Sequence, residues 1–439
     1  QAPLRSGGFP ESPQSFGRNS RDMAAGGPQD ALSPEAAAYL DQLGVEPFWR
    51  GLTASLARDR PLGKEGEYIV RYVQQNWKTS ASSGPSSQEG ETPEPAAMSR
   101  FVAGFRPELA EPLPPVNGHE AIAVSQAVHF DFNPFEWSGL QLAQCASAVL
   151  STGQSIAELQ IPTQELGVWI KTISSCYSSE NSYHNFHHAF SVMAVSAVLI
   201  EEGAGHYVQG IGALGTLVGA LAHDAGHPEY NNDYLIKTKH PLALRYNDRS
   251  VLEMMHAAIV FDILDQPDAN FAKGMETAAF SQLRKSVVGV ILATDMQAHS
   301  RFASGLRELL DKRDGEPEEP TTAHRELLQE CVVKAADLAN PAFCWELCQD
   351  WARRITLEFH NQANREKARG LPFMDFMEHH PDNTVALCKL QIGFSSFVVA
   401  PYWKLLAELF PKLKSRPEQL DSNVEEWKRI KAAAEEAGA

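Results

Sequence analysis

The chain has 439 residues, 43% of them hydrophobic, and 55 acidic against 38 basic residues give it a formal net charge of −17. No Lys/Arg-rich block occurs, so neither a nucleic acid nor an anionic membrane surface is an expected partner. The six cysteines show no CxxC motif and no disulfide spacing, which indicates a reduced, cytoplasmic protein. No apolar run approaches the roughly 18 residues that span a membrane, and a membrane anchor or regulatory domain upstream of Gln1 is left open.

The composition divides the chain into five segments. Residues 1–32 are rich in Gly, Pro and Ser and are predicted to be disordered. Short helices are expected over 33–78, and the composition of 79–97 is typical of a linker. A compact domain is predicted over 98–415, followed by a charged helical tail over 416–439.

From about residue 125 to 415 the hydrophobic pattern is helical. Apolar residues recur every three or four positions in the segments 139–150, 186–202, 207–222, 250–264, 279–293, 325–338, 342–366 and 384–409. The charged stretch 311–320 is expected to be a solvated loop. Because no run alternates with period two and no repeat occurs, an all-α domain is predicted.

A histidine pair, His184 and His188, lies four residues apart in YHNFHHAF, so both side chains share one helix face. His187 points elsewhere, which argues against a cluster of three histidines. Such a pair in isolation is more often structural than metal-binding.

Two further motifs place polar side chains at the ends of apolar helices. His223 and Asp224 follow YVQGIGALGTLVGALA, and Asp337 ends CVVKAAD just before Asn340-Pro341. Buried polar groups are costly unless something satisfies them. A hydrogen-bonded His-Asp pair and an aspartate in a polar turn are the structural alternatives. With His188, however, these residues form a nitrogen and oxygen set that suits Zn²⁺ together with Mg²⁺ or Mn²⁺, so a metal-activated hydrolase is the first hypothesis.

Six motifs in order resemble the class I 3′,5′-cyclic nucleotide phosphodiesterases, within the HD superfamily of metal phosphohydrolases. They are YHNFHHA, AHDAGHP, YNDRSVLE, ATDMQAH, ADLANP and QIGF. The resemblance spans about residues 130–405. It implies a compact multi-helix catalytic domain that hydrolyses a 3′,5′-cyclic nucleotide to the 5′-monophosphate.

The resemblance also implies roles for individual residues. One ion, which the resemblance implies to be Zn²⁺, would be held by His188, His223, Asp224 and Asp337. Asp224 would bridge to a second ion, Mg²⁺ or Mn²⁺, whose waters would be held by His227, Glu253, His256 and Thr294. A hydroxide between the two ions would attack phosphorus. His184, oriented by Glu358, would protonate the departing 3′ oxygen.

The base would be bound by residues near the end of the motif series. Gln391 would pair with the purine edge, Phe394 would stack on the base, and Ile355 would oppose it. Tyr183 and Asn340 match family positions near the metals and the base. The chain departs from the family pattern in LEMMH, where Met254 and Met255 replace an asparagine and a histidine.

The substrate is expected to be cAMP in preference to cGMP, because the ADLANP, WELCQDW and WARRI segments are similar to those of the cAMP-selective branches. A dual or cGMP-preferring enzyme is the alternative. Another HD-type nucleotide hydrolase and a weakly active regulatory binding protein are less favoured. A homodimer is left open.

Overall fold

The computed structural model describes residues 107–114, 127–152, 159–312 and 320–438. They belong to the compact unit formed by Gly84–Ala439. The predictions for the N-terminal segments lie outside the described residues, namely 1–32, 33–78 and 79–97. The predicted domain boundaries therefore stay predictions.

The described residues form helices and no β-strand, which confirms the predicted all-α class. The α-helices are α1 (Gly139–Thr152), α2 (Thr163–Cys176), α3 (Phe186–Glu202), α4 (Gly210–Ala222), α5 (Asn232–Lys237), α6 (Pro241–Tyr246), α7 (Val251–Leu264), α8 (Thr277–Ala293), α9 (His299–Lys312), α10 (Thr322–Asp337), α11 (Trp345–Ala368), α12 (Thr384–Phe394), α13 (Ala400–Leu409) and α14 (Ser415–Gly438). Short 3₁₀ helices lie at Pro134–Glu136, Ala204–His206, Pro267–Ala269, Met296–Ala298, Asn340–Ala342, Asp375–Met377 and Pro411–Lys414. A π-helical turn, Ser395–Val399, joins α12 to α13.

The helices differ from the sequence prediction in several places, and the short helices α5 and α6 are among those that were not predicted. Helix α2 was not predicted, although its buried residues Leu166, Trp169 and Ile173 have helical spacing, because Thr and Ser residues interrupt the apolar pattern. Helix α9 was also missed, and it reaches into the predicted loop 311–320. The predicted helix 384–409 is interrupted by the π-helical turn.

Helix α4 lies at the centre of the domain and packs against α3, α8 and α10. Two of its glycines allow a close approach to α8. A Cβ atom on Gly215 would lie 2.5 Å from the Cβ of Ser286, and one on Gly219 would lie 2.2 Å from the Cγ2 of Val290. Since a larger side chain would force the two helices apart, these glycines fix the position of the polar residues that follow α4.

Three helix ends meet in this core. Helix α3 begins after Asn185, whose side chain accepts hydrogen bonds from the backbone N–H groups of His187 and His188 and so caps the helix. Helix α4 ends just before His223, and α10 ends at Asp337. Because α3, α4 and α10 all pack on one another, the ends are held at fixed positions.

The last helices cover another side of the core. Residues Thr384–Leu409 are long and apolar enough to cross a membrane by length and composition alone. Gln391 in this stretch is buried, and Tyr402 and Trp403 are buried in the hydrophobic core, as in the core helix of a globular domain. Helix α14 packs on α12, where Trp427 joins a second, smaller hydrophobic cluster.

Candidate active site

Four side chains from the three helix ends meet in a buried cluster, which we call the His–Asp cluster: His188, His223, Asp224 and Asp337. The Nε2 atom of His188 lies 3.2 Å from Asp337 Oδ1 and 3.5 Å from Asp224 Oδ2. The Nε2 atom of His223 lies 3.0 Å from Asp224 Oδ2 and 3.5 Å from Asp337 Oδ1. Two imidazoles therefore face the same two carboxylates, a donor set typical of Zn²⁺ sites.

The tautomer of His223 tests whether a cation fits this cluster. Its Nδ1 lies 2.8 Å from the carbonyl oxygen of Ala220, which can only accept, so Nδ1 carries the proton and Nε2 presents a lone pair. The Nε2 atoms of His188 and His223 are buried and lack the geometry of a hydrogen bond to the nearby carboxylates. A lone pair facing carboxylate oxygens needs a positive charge between them. The cluster therefore fits a divalent ion.

Protonation of His223 is the alternative source of that charge when no metal is bound. Burial lowers the pKa of His223, but the carboxylates of Asp224 and Asp337 raise it well above its ordinary value. Burial also disfavours the charged form of Asp337, yet the neighbouring imidazoles of His188 and His223 hold the pKa of Asp337 below its usual range. A metal ion would replace the proton, as metal binding at histidine sites generally does.

Asp224 faces a third histidine with its other oxygen. Its Oδ1 lies 3.7 Å from the Nε2 of His256. The Nδ1 of His256 lies 2.7 Å from the Ala225 carbonyl oxygen, so its buried Nε2 also presents a lone pair without a hydrogen-bond partner. Glu253 is half-buried on the same helix, and burial, together with repulsion from Asp295, raises the pKa of Glu253 to about 7. This second group of acceptors can order waters around another cation.

The two methionines of LEMMH lie away from this group. Met255 is buried in the hydrophobic core, and Met254 is 38% exposed. On helix α7 the side chains of Glu253 and His256 lie about 60° apart, whereas both methionines point to other sides. The departure from the family pattern therefore leaves the polar face of α7 in place.

Thr294 makes its described hydrogen bonds outside the His–Asp cluster. Its hydroxyl donates to the carbonyl oxygen of Ile291 at 2.7 Å, and its own carbonyl accepts from the Nζ of Lys334 at 3.3 Å. The structure thus places Thr294 at the end of α8, held by a lysine on the helix that carries Asp337.

His184 and Glu358 form a separate unit, which we call the acid dyad. The Nδ1 of His184 is hydrogen-bonded to Glu358 Oε1. Glu358 Oε2 accepts from the backbone N–H groups of Tyr183 at 2.9 Å and His184 at 3.1 Å. The ring of His227 stacks on that of His184 with centroids 3.9 Å apart. Each oxygen of Glu358 is therefore already engaged in hydrogen bonding.

The dyad is an ion pair at neutral pH. Burial opposes the charge on His184, but the Glu358 carboxylate raises the pKa of His184 to about 9. Burial likewise opposes the charge on Glu358, and His184 lowers the pKa of Glu358 to about 2. His184, His227 and Glu358 lie close enough together to hold a metal by distance alone. Because Glu358 already accepts three N–H donors, this group is better suited to holding a proton.

Asn181 ties the dyad to the loop after α4. Its Nδ2 donates to the carbonyl oxygens of His184 and His227, both at 2.9 Å. Two of the predicted site residues, far apart in sequence, are thereby joined through one amide.

Of the predicted substrate-binding residues, Tyr183 lies against the His–Asp cluster, with its ring centroid 4.5 Å from that of His188. The Nδ2 of Asn340 donates to the hydroxyl of Tyr183. Gln391 is buried, whereas Ile355 and Phe394 are partly buried against the core. No described contact joins Ile355, Gln391 or Phe394 to the His–Asp cluster, and within the described residues the Gln391 amide has no hydrogen-bond partner.

Besides Asn181, sequence reasoning missed two further polar residues of the site. Asn232 donates from Nδ2 to both Glu253 oxygens, at 3.2 and 2.9 Å, and accepts from the backbone N–H of Leu252 at 2.9 Å. Lys334 is fully buried, and it donates to the carbonyl oxygens of Thr294 and Asp295. The lysine within the apolar run CVVKAAD was a signal in the sequence; Asn232 gave none, because asparagines are common in turns.

Comparison with known proteins places the chain in a family. Residues 183–420 match the 3′5′-cyclic nucleotide phosphodiesterase family. Over 285 residues the chain is 31% identical to the human "High affinity cGMP-specific 3′,5′-cyclic phosphodiesterase 9A", a match that covers 64% of this chain and 46% of the relative. Over 274 residues it is 31% identical to the mouse "3′,5′-cyclic-AMP phosphodiesterase 4C", covering 61% of this chain and 39% of the relative.

A solved structure of a phosphodiesterase domain is similar to this chain in fold and in sequence. The crystal structure of the phosphodiesterase domain of the RhoPDE fusion protein from the choanoflagellate Salpingoeca rosetta matches with a TM-score of 0.67 and 30% identity. The match covers 71% of this chain and 97% of that domain.

Fold and donor cluster together define an all-α domain suited to binding divalent metal. More specifically, because the family match covers more than half of the sequence, the chain belongs to the 3′,5′-cyclic nucleotide phosphodiesterase family and contains its catalytic domain. The chain spans less than half the length of the human and mouse relatives that it matches.

Proposed function

We propose that this chain hydrolyses 3′,5′-cyclic nucleotides to 5′-monophosphates and prefers cAMP to cGMP. The observation that carries the proposal is the His–Asp cluster, with its unpaired lone pairs, next to a histidine that is protonated at neutral pH. The first can hold a cation against a phosphate, and the second can donate a proton to a leaving group. Membership of the family supports the same chemistry.

The metal ions would be held by the residues of the cluster. The nitrogen-rich set of His188, His223, Asp224 and Asp337 suits Zn²⁺. The second group suits Mg²⁺, or Mn²⁺, because it offers one carboxylate oxygen of Asp224 and otherwise waters. When bound, such ions supply charge neutralisation of the phosphate and a water whose pKa is lowered toward neutrality. Those waters would be ordered by His227, Glu253 and His256.

His184 would be the general acid. Since its Nδ1 is held by Glu358, the proton available for transfer is the one on Nε2. The raised pKa of His184 keeps that proton in place at neutral pH. It would pass to the 3′ oxygen of the ribose as the bond from phosphorus to that oxygen breaks.

The side-chain amides of Asn340 and Gln391 support the preference for adenine. Because the Asn340 amide nitrogen donates to Tyr183, its carbonyl oxygen is left as an acceptor. An acceptor matches the exocyclic amine of adenine and repels the carbonyl oxygen of guanine. The Gln391 amide would pair with the purine edge, with Phe394 and Ile355 on the two faces of the base.

The alternative is a dual or cGMP-preferring enzyme. The Gln391 amide can present either its donor or its acceptor to a base. Relatives named for cGMP and for cAMP share the same identity with this chain, 31%.

The test is kcat/KM for cAMP and cGMP side by side, with Mg²⁺ added and after removal of metal by a chelator. We expect metal-dependent turnover of both nucleotides, with the larger kcat/KM for cAMP. Equal or reversed values would favour the alternative, and no turnover by metal-loaded protein would overturn the proposal. Gln391→Ala serves as the control for the base site, since it should raise KM and leave bound metal unchanged.

A further inference from the structure

The side chain of Asn181 is buried in the turn before α3, three residues before His184. Its Nδ2 donates to the carbonyl oxygens of His184 and His227, each at 2.9 Å. Both carbonyls lie outside the helices. Because carbonyl oxygens only accept, the amide nitrogen has to face them, and both of its N–H groups are used.

Helix α3 fixes the position of Asn181. Asn185 caps this helix with its side-chain oxygen, and its Nδ2 donates to the carbonyl oxygen of Asn181 at 3.0 Å. The Asn181 side chain therefore connects a fixed helix start to the loop after α4, which carries His227.

The two histidines whose main chains Asn181 holds also contact each other through their rings. The ring centroids of His184 and His227 lie 3.9 Å apart, and the ring planes differ by 20°, so the rings stack. The backbone N–H of Glu229 donates to the Nδ1 of His227 at 3.1 Å, so the ring proton of His227 is on Nε2. Burial, together with the charge on His184, lowers the pKa of His227 well below its ordinary value. A neutral ring of His227 therefore lies flat on the protonated ring of His184.

This stacking restrains a motion that Glu358 does not restrain. The hydrogen bond from Glu358 holds one edge of the His184 ring, at Nδ1, whereas the ring of His227 supports its face. The tilt of the His184 ring sets the direction of its Nε2–H. As the bond from phosphorus to the 3′ oxygen breaks, that oxygen takes the electron pair and the Nε2 proton. A misplacement of about 1 Å in such a group can cost as much as about 100-fold in rate.

We propose that Asn181 is a positioning residue of the acid dyad: its amide holds the main chains of His184 and His227 so that the ring of His227 supports the face of His184 and fixes the direction of its Nε2–H. This inference rests on the proposed function. The alternative is that Asn181 only satisfies two carbonyl oxygens and stabilises the fold. The two roles differ in the substrates that they affect, because only the positioning role is specific to proton transfer.

The experiment uses two variants of Asn181 and one matched control. Asn181→Asp keeps the shape but places a carboxylate against both carbonyl oxygens, and Asn181→Ser keeps one donor. The control is Asn423→Asp. Asn423 is also buried, and its Nδ2 also donates to two carbonyl oxygens, those of Pro341 at 2.9 Å and Phe343 at 2.8 Å.

Melting temperature, bound metal, kcat and KM are measured for each variant. Saturating Mg²⁺ is used, so that a displaced His227 does not limit turnover through binding of the second ion. The substrates are cAMP and its analogue with sulfur in place of the bridging 3′ oxygen. The sulfur of this analogue takes the electron pair and leaves as a thiolate, without a proton.

We expect Asn181→Asp to lower kcat for cAMP at least about tenfold with little change in KM, a loss typical of a displaced catalytic group. The sulfur analogue should lose less than about twofold, because it needs no proton. Asn181→Ser should fall between wild type and Asn181→Asp. Asn423→Asp should also lower the melting temperature, but any loss of kcat should be equal for the two substrates. Unchanged kcat for cAMP in both Asn181 variants, or equal losses on the two substrates, would overturn the proposal.

The ring contact can be measured without turnover, which separates this inference from the proposed function. Wild-type protein with isotope-labelled histidine should show a nuclear Overhauser effect between the ring protons of His184 and His227, and Asn181→Ser should lose it. If the wild type turns over no cyclic nucleotide, loss of this effect in Asn181→Ser still supports the positioning by the amide. An effect of equal size in Asn181→Ser contradicts the proposal.

Discussion

The His–Asp cluster and the acid dyad lie side by side but are satisfied in opposite ways. In the cluster, the Nε2 atoms of His188 and His223 are buried without a hydrogen bond, so the cluster needs a positive charge, from a proton on His223 or from a metal ion. In the dyad, each oxygen of Glu358 has N–H donors from the protein itself. The cluster is therefore complete only with a cation, whereas the dyad is already formed. A mutation in the cluster or in the dyad should therefore leave the structure of the other unit unchanged.

The largest expected effect follows from breaking the cluster. Asp337→Ala leaves two imidazoles facing one carboxylate, so bound metal should be lost. Activity should fall about a thousandfold or more, because Lewis-acid stabilisation contributes several kcal/mol and each 1.4 kcal/mol is a factor of ten. Metal content by mass spectrometry and kcat/KM for cAMP measure both. Glu326→Ala, at a half-buried position on the same helix where Glu326 pairs with Lys285, is the control. Metal retained in Asp337→Ala would refute the ligand assignment.

Breaking the dyad should separate activity from metal content. Glu358→Gln removes the charge that keeps His184 protonated, and kcat should fall by about 10² to 10³, as for loss of a general acid. Bound metal should remain at the wild-type level, since Glu358 does not face the cluster. A loss of metal in this variant would mean that the two units are not independent.

A smaller effect, with a defined pH dependence, is expected at Glu253 in the metal-free protein. The pKa of Glu253 is raised to about 7 in the folded state. Ionisation of Glu253 therefore destabilises the folded state. The destabilisation is complete above pH 7 and only slight near pH 5. Glu253→Gln should raise the free energy of unfolding by up to about 3 kcal/mol at pH 8 and by less than about 1 kcal/mol at pH 5.

Chemical denaturation at the two pH values checks this prediction. Gln retains an acceptor for Asn232, so a gain that is equal at both pH values would point to packing rather than charge. With metal bound, Glu253→Gln should be harmful instead of stabilising. It should weaken the binding of the second ion by about 10- to 100-fold, as for partners of metal-bound groups.

The smallest expected effect concerns the packing that positions the cluster. Gly219→Ala places a methyl group against the side chain of Val290 on α8. It should cost about 1–3 kcal/mol, the usual range for overpacking a core. Gly139→Ala, with open space around its Cα, is the control. Differential scanning calorimetry should show a lower melting temperature for Gly219→Ala alone.

The cluster could be predicted from sequence more fully than the dyad could. His188, His223 and Asp337 stand at the ends of apolar helices, and helix periodicity is a local property of the sequence. The hydrogen bonds of Glu358 to Tyr183 and His184 cross about 175 positions of the chain and leave no local pattern. Glu358 was therefore assigned only from the resemblance.

Local backbone features were the hardest to predict. The left-handed conformation of Glu229 and the bonds of Asn232 depend on how the loop after α4 meets α7 and α11. The π-helical turn at Ser395–Val399 also lies in a sequence whose apolar pattern is continuous. The order of motifs identified the family, and the spacing of apolar residues predicted most of the helices, whereas tertiary contacts determine these details.

The most direct test of the account is a metal titration of stripped protein, with bound metal and cAMP turnover measured in the same samples. The account predicts that turnover returns in step with binding of divalent ions to wild type. Glu358→Gln should bind the same amount of metal with little turnover, and Asp337→Ala should do neither. Full turnover by stripped wild-type protein would contradict this prediction. A failure of Glu358→Gln to bind metal would contradict it as well.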